Sequence, residues 1–161
     1  MSVAFTREES AETAAEVELP DRPISPHPNL VTPNGLVLLQ TAMVTARAAY
    51  AAAQQIEDVN ERRRESAPAA RDIRYLAARL HSAQVVPPLA STDQVMFGCR
   101  VTFTRDDGRQ QVFRIVGEDE ADPANGTISY VSPVARALNR KSVGDVATIG
   151  NSEIEITAIE Q

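Results

Sequence analysis

The stretch best suited to chemistry is residues 56–65, "IEDVNERRRE", in which Asp58 and Glu61 precede three consecutive arginines. Asp58 and Glu61 are three residues apart, so a helix would place both side chains on one face. Mg²⁺ often takes only one or two protein carboxylates and completes its six oxygen ligands with water and phosphate. The pair is therefore a candidate for positioning a metal ion but could not hold one alone. Most carboxylates with this spacing are simply solvated.

The three arginines that follow, Arg62, Arg63 and Arg64, are candidates for contact with nucleic-acid phosphates. An equally good interpretation is a solvated, highly charged bend. The choice depends on the elements that hold the stretch in place.

A helix is predicted before the stretch, beginning at "TPNGL" (32–36). Thr32 can cap it and Pro33 suits its first turn. Apolar residues then recur at three- and four-residue steps, which is the pattern of a seam that packs against one partner helix. These residues are Leu36, Leu39, Met43, Ala46, Tyr50 and Ala53.

A second helix is predicted after the stretch, with Ser66 as its cap and Pro68 in its first turn. The two prolines in "VVPPLAST" (85–92) end it. Its own seam consists of Ala69, Ile73, Leu76, Leu80 and Ala83. The two seams predict an antiparallel helical hairpin over residues 31–86, with Asp58, Glu61 and the arginines at its tip.

Residues 93–161 change to the period of two that is typical of strands. In "CRVTFTR" (99–105) alternate side chains face inward, "DDGR" (106–109) predicts a hairpin turn, and four further strands follow. "SPVARALNR" (132–140) predicts one short helix, with Ser132 as N-cap, Pro133 at the first position and Asn139 in a left-handed closing conformation. The fold class is therefore α+β.

Composition narrows the class of protein. The net charge of −6 over 161 residues argues against a general nucleic-acid binder, although residues 31–85 hold seven arginines against five acids. A single cysteine, Cys99, excludes a disulfide framework. No continuous apolar run reaches the roughly 18 residues of a membrane span. Residues 1–30 are acidic and rich in proline, which predicts a disordered tail whose first 28 residues are dispensable for folding.

The sequence offers no independent catalytic machinery. It has no nucleophile–base pair, phosphate-binding loop or dinucleotide motif, so we expect a protein that is not an enzyme and has no cofactor or metal of its own. His27 and His81 have no ligand spacing.

The C-terminal third resembles the Gre family of transcription elongation factors (GreA/GreB). The similarity is carried by "VMFGCRVTF" (95–103), "FRIVGEDEADP" (113–123) and "ISYVSPVARALNRKSVGD" (128–145), and more loosely by "DIRYLAARLHSAQVV" (72–86), which is closer to GreB. The resemblance implies an N-terminal antiparallel two-helix coiled-coil arm and a C-terminal FKBP-like antiparallel β domain with one short helix. It also implies a cytoplasmic protein, monomeric and without membrane contact.

In this family the arm enters the secondary channel of bacterial RNA polymerase, where an acidic tip helps to position an Mg²⁺ ion that the polymerase uses to cleave backtracked RNA. The resemblance thus implies polymerase as partner, contact with RNA or DNA in the elongation complex, Asp58 and Glu61 as the metal-positioning tip, and Mg²⁺ shared with polymerase. It assigns polymerase binding to Ser132 and Pro133, although Val131 stands where the family usually has a polar or acidic residue.

Two departures from the family pattern leave an alternative open. Arg62 replaces the usual asparagine after the acidic pair, and the arm is shorter by about 7 residues per helix, or roughly 10 Å. The alternative is a short-armed, Rnk-like regulator that binds polymerase without stimulating cleavage. A prolyl isomerase, suggested by the FKBP-like fold alone, is weak because fold does not carry function.

Overall fold

The computed structural model describes residues 19–161. Most of the predicted disordered tail, residues 1–18, lies outside the described residues. The chain divides into two compact units. One comprises residues 19–25 and Leu39–His81, and the other comprises Pro26–Leu38 and Ser82–Gln161. This division differs at both ends from the predicted hairpin of residues 31–86.

Two long helices, α1 (Pro33–Ala53) and α2 (Val59–Ser82), form the predicted hairpin. The five residues 54–58 connect them, a length typical of antiparallel helix pairs. The seams are buried only in part as predicted: Tyr50 of the first seam is exposed, and Leu36, Ile73, Leu80 and Ala83 are half-buried. The buried seam residues are Leu39, Met43, Ala46 and Ala53 on α1, and Ser66, Ala69, Leu76 and Arg79 on α2.

The predicted start of the second helix at Ser66 is wrong, because α2 begins seven residues earlier at Val59. Asp58 caps it, accepting a hydrogen bond from the Glu61 backbone N–H. The Ser66 hydroxyl instead donates to the Arg63 carbonyl at 3.3 Å and lies in the buried seam. Pro68 therefore lies inside the helix, where it removes one backbone hydrogen bond.

Among the described residues, α1 is the one helix long and apolar enough in composition to cross a membrane. The sequence prediction missed it because polar residues such as Gln40 and Arg47 interrupt the apolar run. Helices that pack in the core of a protein meet the same criterion, so this is weak evidence. Only 22% of this apolar window is buried, and large apolar side chains such as Val37, Leu38 and Val44 are exposed.

The base of the helical pair is built from backbone pairing. Strands β1 (Leu30–Val31) and β2 (Gln84–Val85) pair in parallel, immediately before α1 and after α2. Thr32 caps α1 as predicted, since its hydroxyl accepts from the Gly35 N–H at 2.9 Å. Gly117 permits the close approach of β1, because a β-carbon there would lie 2.3 Å from the Leu30 carbonyl oxygen.

The C-terminal unit contains a five-stranded sheet in the order β5-β4-β3-β7-β6. Most neighbouring strands are antiparallel, but β4 and β5 run parallel, so the sheet is mixed rather than antiparallel as predicted. A turn (118–120) and a 3₁₀ helix (Pro123–Asn125) between these two strands reverse the chain twice, so that β5 runs in the same direction as β4. The strands are β3 (Arg100–Arg105), β4 (Gln110–Val116), β5 (Thr127–Ser129), β6 (Val146–Ile149) and β7 (Ser152–Glu160).

The short helix α3 (Pro133–Leu138) packs on this sheet over an aliphatic core. The prediction that Cys99, Val101 and Phe103 face inward is confirmed, since all three are fully buried. The core comprises Val95, Cys99, Val101, Phe103, Ile115, Ile128, Ala135, Leu138, Ala147, Ile154, Ile156 and Ile159.

The predicted left-handed conformation of Asn139 is wrong. Its φ is −54°, and the left-handed residue is the next one, Arg140, with φ of 62°. Arg140 donates its backbone N–H to the Val95 carbonyl at 2.8 Å, while Val95 donates to Lys141 at the same distance. This pairing holds Arg140 in a conformation that arginine alone would rarely adopt.

Residues 19–30, predicted to belong to the disordered tail, contact the folded chain. Asp21 and Arg22 form ion pairs with α2. The Tyr130 hydroxyl donates to the Pro28 carbonyl at 2.5 Å, and Asn29 is buried. Contacts with residues fifty or more positions away in the sequence hold this segment in place, and composition alone could not reveal such contacts.

Candidate functional site

The tip of the helical hairpin begins where α1 ends. Backbone hydrogen bonds from Gln54, Gln55 and Ile56 to carbonyls in the last turn of α1 close that helix. Asp58 then opens α2: its carbonyl accepts from Arg62 N–H at 2.9 Å and its carboxylate Oδ1 accepts from Glu61 N–H at 2.8 Å. The three-residue spacing that predicted a metal-positioning pair also separates the N-cap of a helix, here Asp58, from the third residue of that helix, here Glu61.

Asp58 and Glu61 are both exposed at this tip. The cap uses one oxygen of Asp58, which leaves the other oxygen and the whole Glu61 carboxylate without a role in the cap. Within residues 19–161 no group of three or more histidine, cysteine, aspartate or glutamate side chains is arranged to hold a metal ion. The pair fits a shared Mg²⁺ site only as two ligands among six, with the remaining ligands supplied by another molecule.

The arginine triplet divides into two kinds of residue. Arg62 is half-buried and donates from Nη1 to the Ile56 carbonyl at 3.2 Å, so it fastens the connection between the helices. Arg63 and Arg64 are exposed. Of the three candidates for nucleic-acid contact, these two present their guanidinium groups to solvent.

The Ser132–Pro133 turn adopts the predicted cap geometry. Ser132 is extended, with φ of −63° and ψ of 151°, and its hydroxyl accepts from the Ala135 N–H at 3.2 Å. Pro133 occupies the first helical position and is exposed. Ser129 supports the turn from below, since its carbonyl accepts from the Ser132 N–H at 2.9 Å. The result is a rigid, exposed corner on the C-terminal unit.

An aromatic pair that the sequence analysis did not single out precedes this corner. The rings of Phe97 and Tyr130 meet edge to face with centroids 5.7 Å apart. Tyr130 also donates its hydroxyl to Pro28. Tyr130 lies two residues before Ser132, so these contacts fix the strand end from which the corner projects. No local sequence signal identifies the partners, which lie 33 and 102 positions from Tyr130.

The acidic loop "GEDEADP" (117–123) also has a structural role that its composition did not reveal. Glu120 accepts from the Thr32 hydroxyl at 2.6 Å and from the Asn34 side-chain amide at 2.8 Å. It thus binds the first turn of α1. Thr32, Asn34 and Glu120 also border a cavity of about 490 Å³. Arg114 lines the same cavity, and its guanidinium group donates to the carbonyls of Gly98 and Gln161.

The C-terminal part of the chain is similar to known proteins. Residues 90–161 match the family model "Transcription elongation factor, GreA/GreB, C-term". GreB of Neisseria meningitidis serogroup B is 47% identical over 96 residues, covering 56% of this chain and 59% of that protein. GreA of Alkalilimnicola ehrlichii is 40% identical over 94 residues, covering 54% and 60%. The chain therefore spans about three-fifths of the length of the curated relatives it matches.

Among solved structures, GreA factor homolog 1 (Gfh1) of Thermus thermophilus is 22% identical with a TM-score of 0.40, covering 84% of this chain and all of that one. The predicted resemblance is confirmed by the family model and the sequence relatives.

Proposed function

We propose that this protein, whose residues 90–161 match the GreA/GreB C-terminal family model, is a member of that family and a Gre-type elongation factor that binds bacterial RNA polymerase at the secondary channel in the cytoplasm. The family match of residues 90–161 is the observation that carries the proposal. The relatives matched over this region are named transcription elongation factors.

The Ser132–Pro133 corner supports docking through the C-terminal domain. Its backbone is held by the Ser132 cap, the Ser129 contact and the fixed φ of proline. A surface that is already ordered loses little conformational entropy when a partner binds, so more of the contact energy remains as affinity. We assign most of the affinity for polymerase to this domain rather than to the hairpin.

The hairpin tip would contribute Asp58 and Glu61 to a Mg²⁺ site that polymerase completes. Such an ion stabilises the attacking and leaving oxygens during cleavage of a phosphodiester. The chain's part in this chemistry is to hold two carboxylates at the end of a helix, and the cap fixes the backbone of both residues.

A second candidate function is binding to polymerase without stimulation of cleavage. The specific observation that favours it is the engagement of Asp58 Oδ1 by the helix cap, beside the exposed cations of Arg63 and Arg64. Both candidate functions use the same docking surface. They differ only in whether the hairpin tip stimulates cleavage.

Binding of the fluorescently labelled protein to RNA polymerase core enzyme tests the shared proposal. The variant Ser132→Asn/Pro133→Ala changes the exposed corner while asparagine preserves the N-cap. We expect its affinity to fall about tenfold, the equivalent of roughly 1.4 kcal/mol. Pro123→Ala is the matched control, because Pro123 also opens a short helix in the same unit and is exposed.

Absence of binding by the native protein would overturn the proposed function. Native binding that the corner variant leaves unchanged would keep polymerase as partner but overturn the docking surface. Equal losses of affinity in the corner variant and in Pro123→Ala would also overturn the docking surface.

A further inference from the structure

One edge of the five-stranded sheet is open. Strand β6 (Val146–Ile149) stands at the end of the strand order and pairs with β7 on one side only. The strand at the other edge, β5, is covered at Thr127, which exchanges two backbone hydrogen bonds with Asp122. Within residues 19–161 no backbone pairing covers the outer side of β6 in this way. A further strand could therefore be added to the sheet at β6.

The register of β6 determines which of its backbone groups are unpaired. The Ile156 N–H of β7 donates to the Asp145 carbonyl at 3.0 Å. Hydrogen-bonded residues alternate along an antiparallel pair, so the next groups directed towards β7 belong to Ala147. The N–H and C=O groups of Val146 and Thr148 point the opposite way, and within residues 19–161 they form no hydrogen bond. Four backbone groups are thus available to a partner strand.

The sequence of β6 lacks the features that usually protect an edge strand. Edge strands commonly carry a lysine, a proline or an inward-pointing charge. The four residues of β6 read "VATI", and Val146 is 51% exposed. Val143, three residues before the strand, is 56% exposed. The edge therefore presents apolar side chains beside unpaired backbone groups.

Two acidic side chains lie beside the open edge on the exposed face of the sheet. Glu155 is paired with Val146 and Glu153 with Thr148, and side chains of paired residues share a face. Neither carboxylate is paired with another residue in the described part of the chain. A residue opposite Val146 on an added strand would stand two strand spacings, about 10 Å, from Glu155. Extended lysine and glutamate side chains together span that distance, so this face favours a basic partner.

The opposite face of β6 is apolar. Ala147 is buried in the core, and Ile149 packs against the core cluster together with Val134 of α3. Alternate side chains of an added strand would fall on this face. Apolar side chains there would extend the core beyond β6.

We propose that β6 binds an extended peptide segment of another protein by antiparallel strand addition. The segment alternates basic residues, on the face of Glu153 and Glu155, with apolar residues on the face of Ile149. In complexes of this kind the main-chain hydrogen bonds provide affinity and the alternate side chains provide specificity. A second copy of β6 is a poorer occupant, because the strand has no basic residue to place near the two glutamates.

This binding surface is separate from the corner assigned to polymerase. The Ser132–Pro133 corner follows β5, which lies at the other edge of the sheet. Strand addition at β6 therefore does not depend on the proposed function.

Amide hydrogen exchange measured by NMR locates the binding. The probe is a soluble peptide of about seven residues in which lysines alternate with valines, added to the full chain. At saturating peptide the exchange of the Val146 and Thr148 amides should slow by about fivefold or more. The Ala147 amide, which is directed towards β7, should exchange slowly with and without peptide.

Two outcomes of this measurement would overturn the proposal. One is the absence of binding by the lysine–valine peptide, or binding that leaves the Val146 and Thr148 amides unprotected. The other is protection of these amides without peptide as the protein concentration rises, which would identify a second copy as the occupant.

N-methylated peptides test the backbone hydrogen bonds and leave the protein unchanged. In the antiparallel pair the lysines lie opposite Val146 and Thr148 and direct their N–H groups towards β6. N-methylation of the lysines should abolish binding, whereas N-methylation of the valines should change affinity by less than about twofold. Any other pattern would contradict antiparallel addition.

Charge substitutions test the basic preference. Glu153→Gln/Glu155→Gln should weaken peptide binding about three- to tenfold at low salt, as expected for the loss of two exposed ion pairs. Glu57→Gln/Glu65→Gln is the matched control, because it removes two exposed carboxylates from the helical hairpin, and it should leave the affinity nearly unchanged. Equal weakening by both variants would show general attraction to an acidic protein and would contradict the proposed site.

Discussion

The carboxylate of Asp58 accepts a hydrogen bond from the backbone N–H of Glu61 at 2.8 Å, which makes this acidic pair the cap of a helix as well as a candidate metal-positioning tip. The two roles can be separated experimentally, because a cap needs a side-chain oxygen and a metal ligand at this position needs a negative charge.

The first prediction concerns the cap. Asp58→Ala should lower the free energy of unfolding by about 1 kcal/mol, because the Glu61 N–H loses its partner. Asp58→Asn retains an oxygen acceptor, so its free energy of unfolding should fall by no more than a few tenths of the loss expected for Asp58→Ala. Urea unfolding of the two variants measures the difference. Equal stability of Asp58→Ala and the native protein would contradict a stabilising cap.

The second prediction concerns cleavage. We expect the protein to stimulate cleavage of backtracked RNA weakly at most. Metal coordination requires distances of about 2 Å, and the family resemblance predicts an arm that is shorter by roughly 10 Å. Stalled elongation complexes provide the assay. Asp58→Asn/Glu61→Gln removes both charges and keeps the cap. Strong native cleavage that disappears in this variant would overturn the prediction and favour the metal-positioning role.

The third prediction separates two parts of the N-terminal region. Removal of residues 1–18 should shift the melting temperature by no more than about 2 °C, because a segment with many charges and few large apolar residues has little apolar surface to bury. Removal of residues 1–28 should lower it by about 5–10 °C. The longer deletion loses two ion pairs, the Arg22–Tyr75 contact and the Tyr130–Pro28 hydrogen bond, together about 2–3 kcal/mol. Identical melting of both deletions would show that residues 19–28 contribute nothing.

The fourth prediction concerns the close approach of β1. Gly117→Ala should destabilise the C-terminal unit by about 1–3 kcal/mol, because the new β-carbon would meet the rigid Leu30 carbonyl at 2.3 Å. Gly35→Ala is the control: its β-carbon would meet the movable end of the Glu120 side chain at 2.6 Å. Thermal unfolding should show a larger loss of stability for Gly117→Ala than for Gly35→Ala. The reverse order would contradict the packing of β1.

The fifth prediction concerns Cys99. Burial raises the pKa of its thiol, and the thiolate is the reactive form, so the native protein should react negligibly with an aromatic disulfide reagent at pH 7.5. In denaturing urea one thiol per chain should react within minutes. Rapid reaction of the native protein would show that the core around Cys99 opens readily.

The sequence by itself determined the elements and their class. Period-four seams predicted α1 and α2, alternation predicted the strands, and the caps at Thr32 and Ser132 lie where residue type placed them. These features depend on interactions within a few residues, so residue type and spacing are sufficient. The acidic pair was also identified from spacing, but its capping role was missed because Ser66 and Pro68 offered a second plausible helix start.

Tertiary structure decided the rest. Burial of Ser66 and Ala69 in the seam selects the earlier helix start at Asp58. The turn at 118–120 and the second reversal around Pro123 together make β5 parallel to β4. The contacts of Glu120 with Thr32 and of Tyr130 with Pro28 join residues 88 and 102 positions apart. Such pairs form only when the whole chain has collapsed, because each side chain's partner is chosen by three-dimensional proximity and leaves no periodic mark in the sequence.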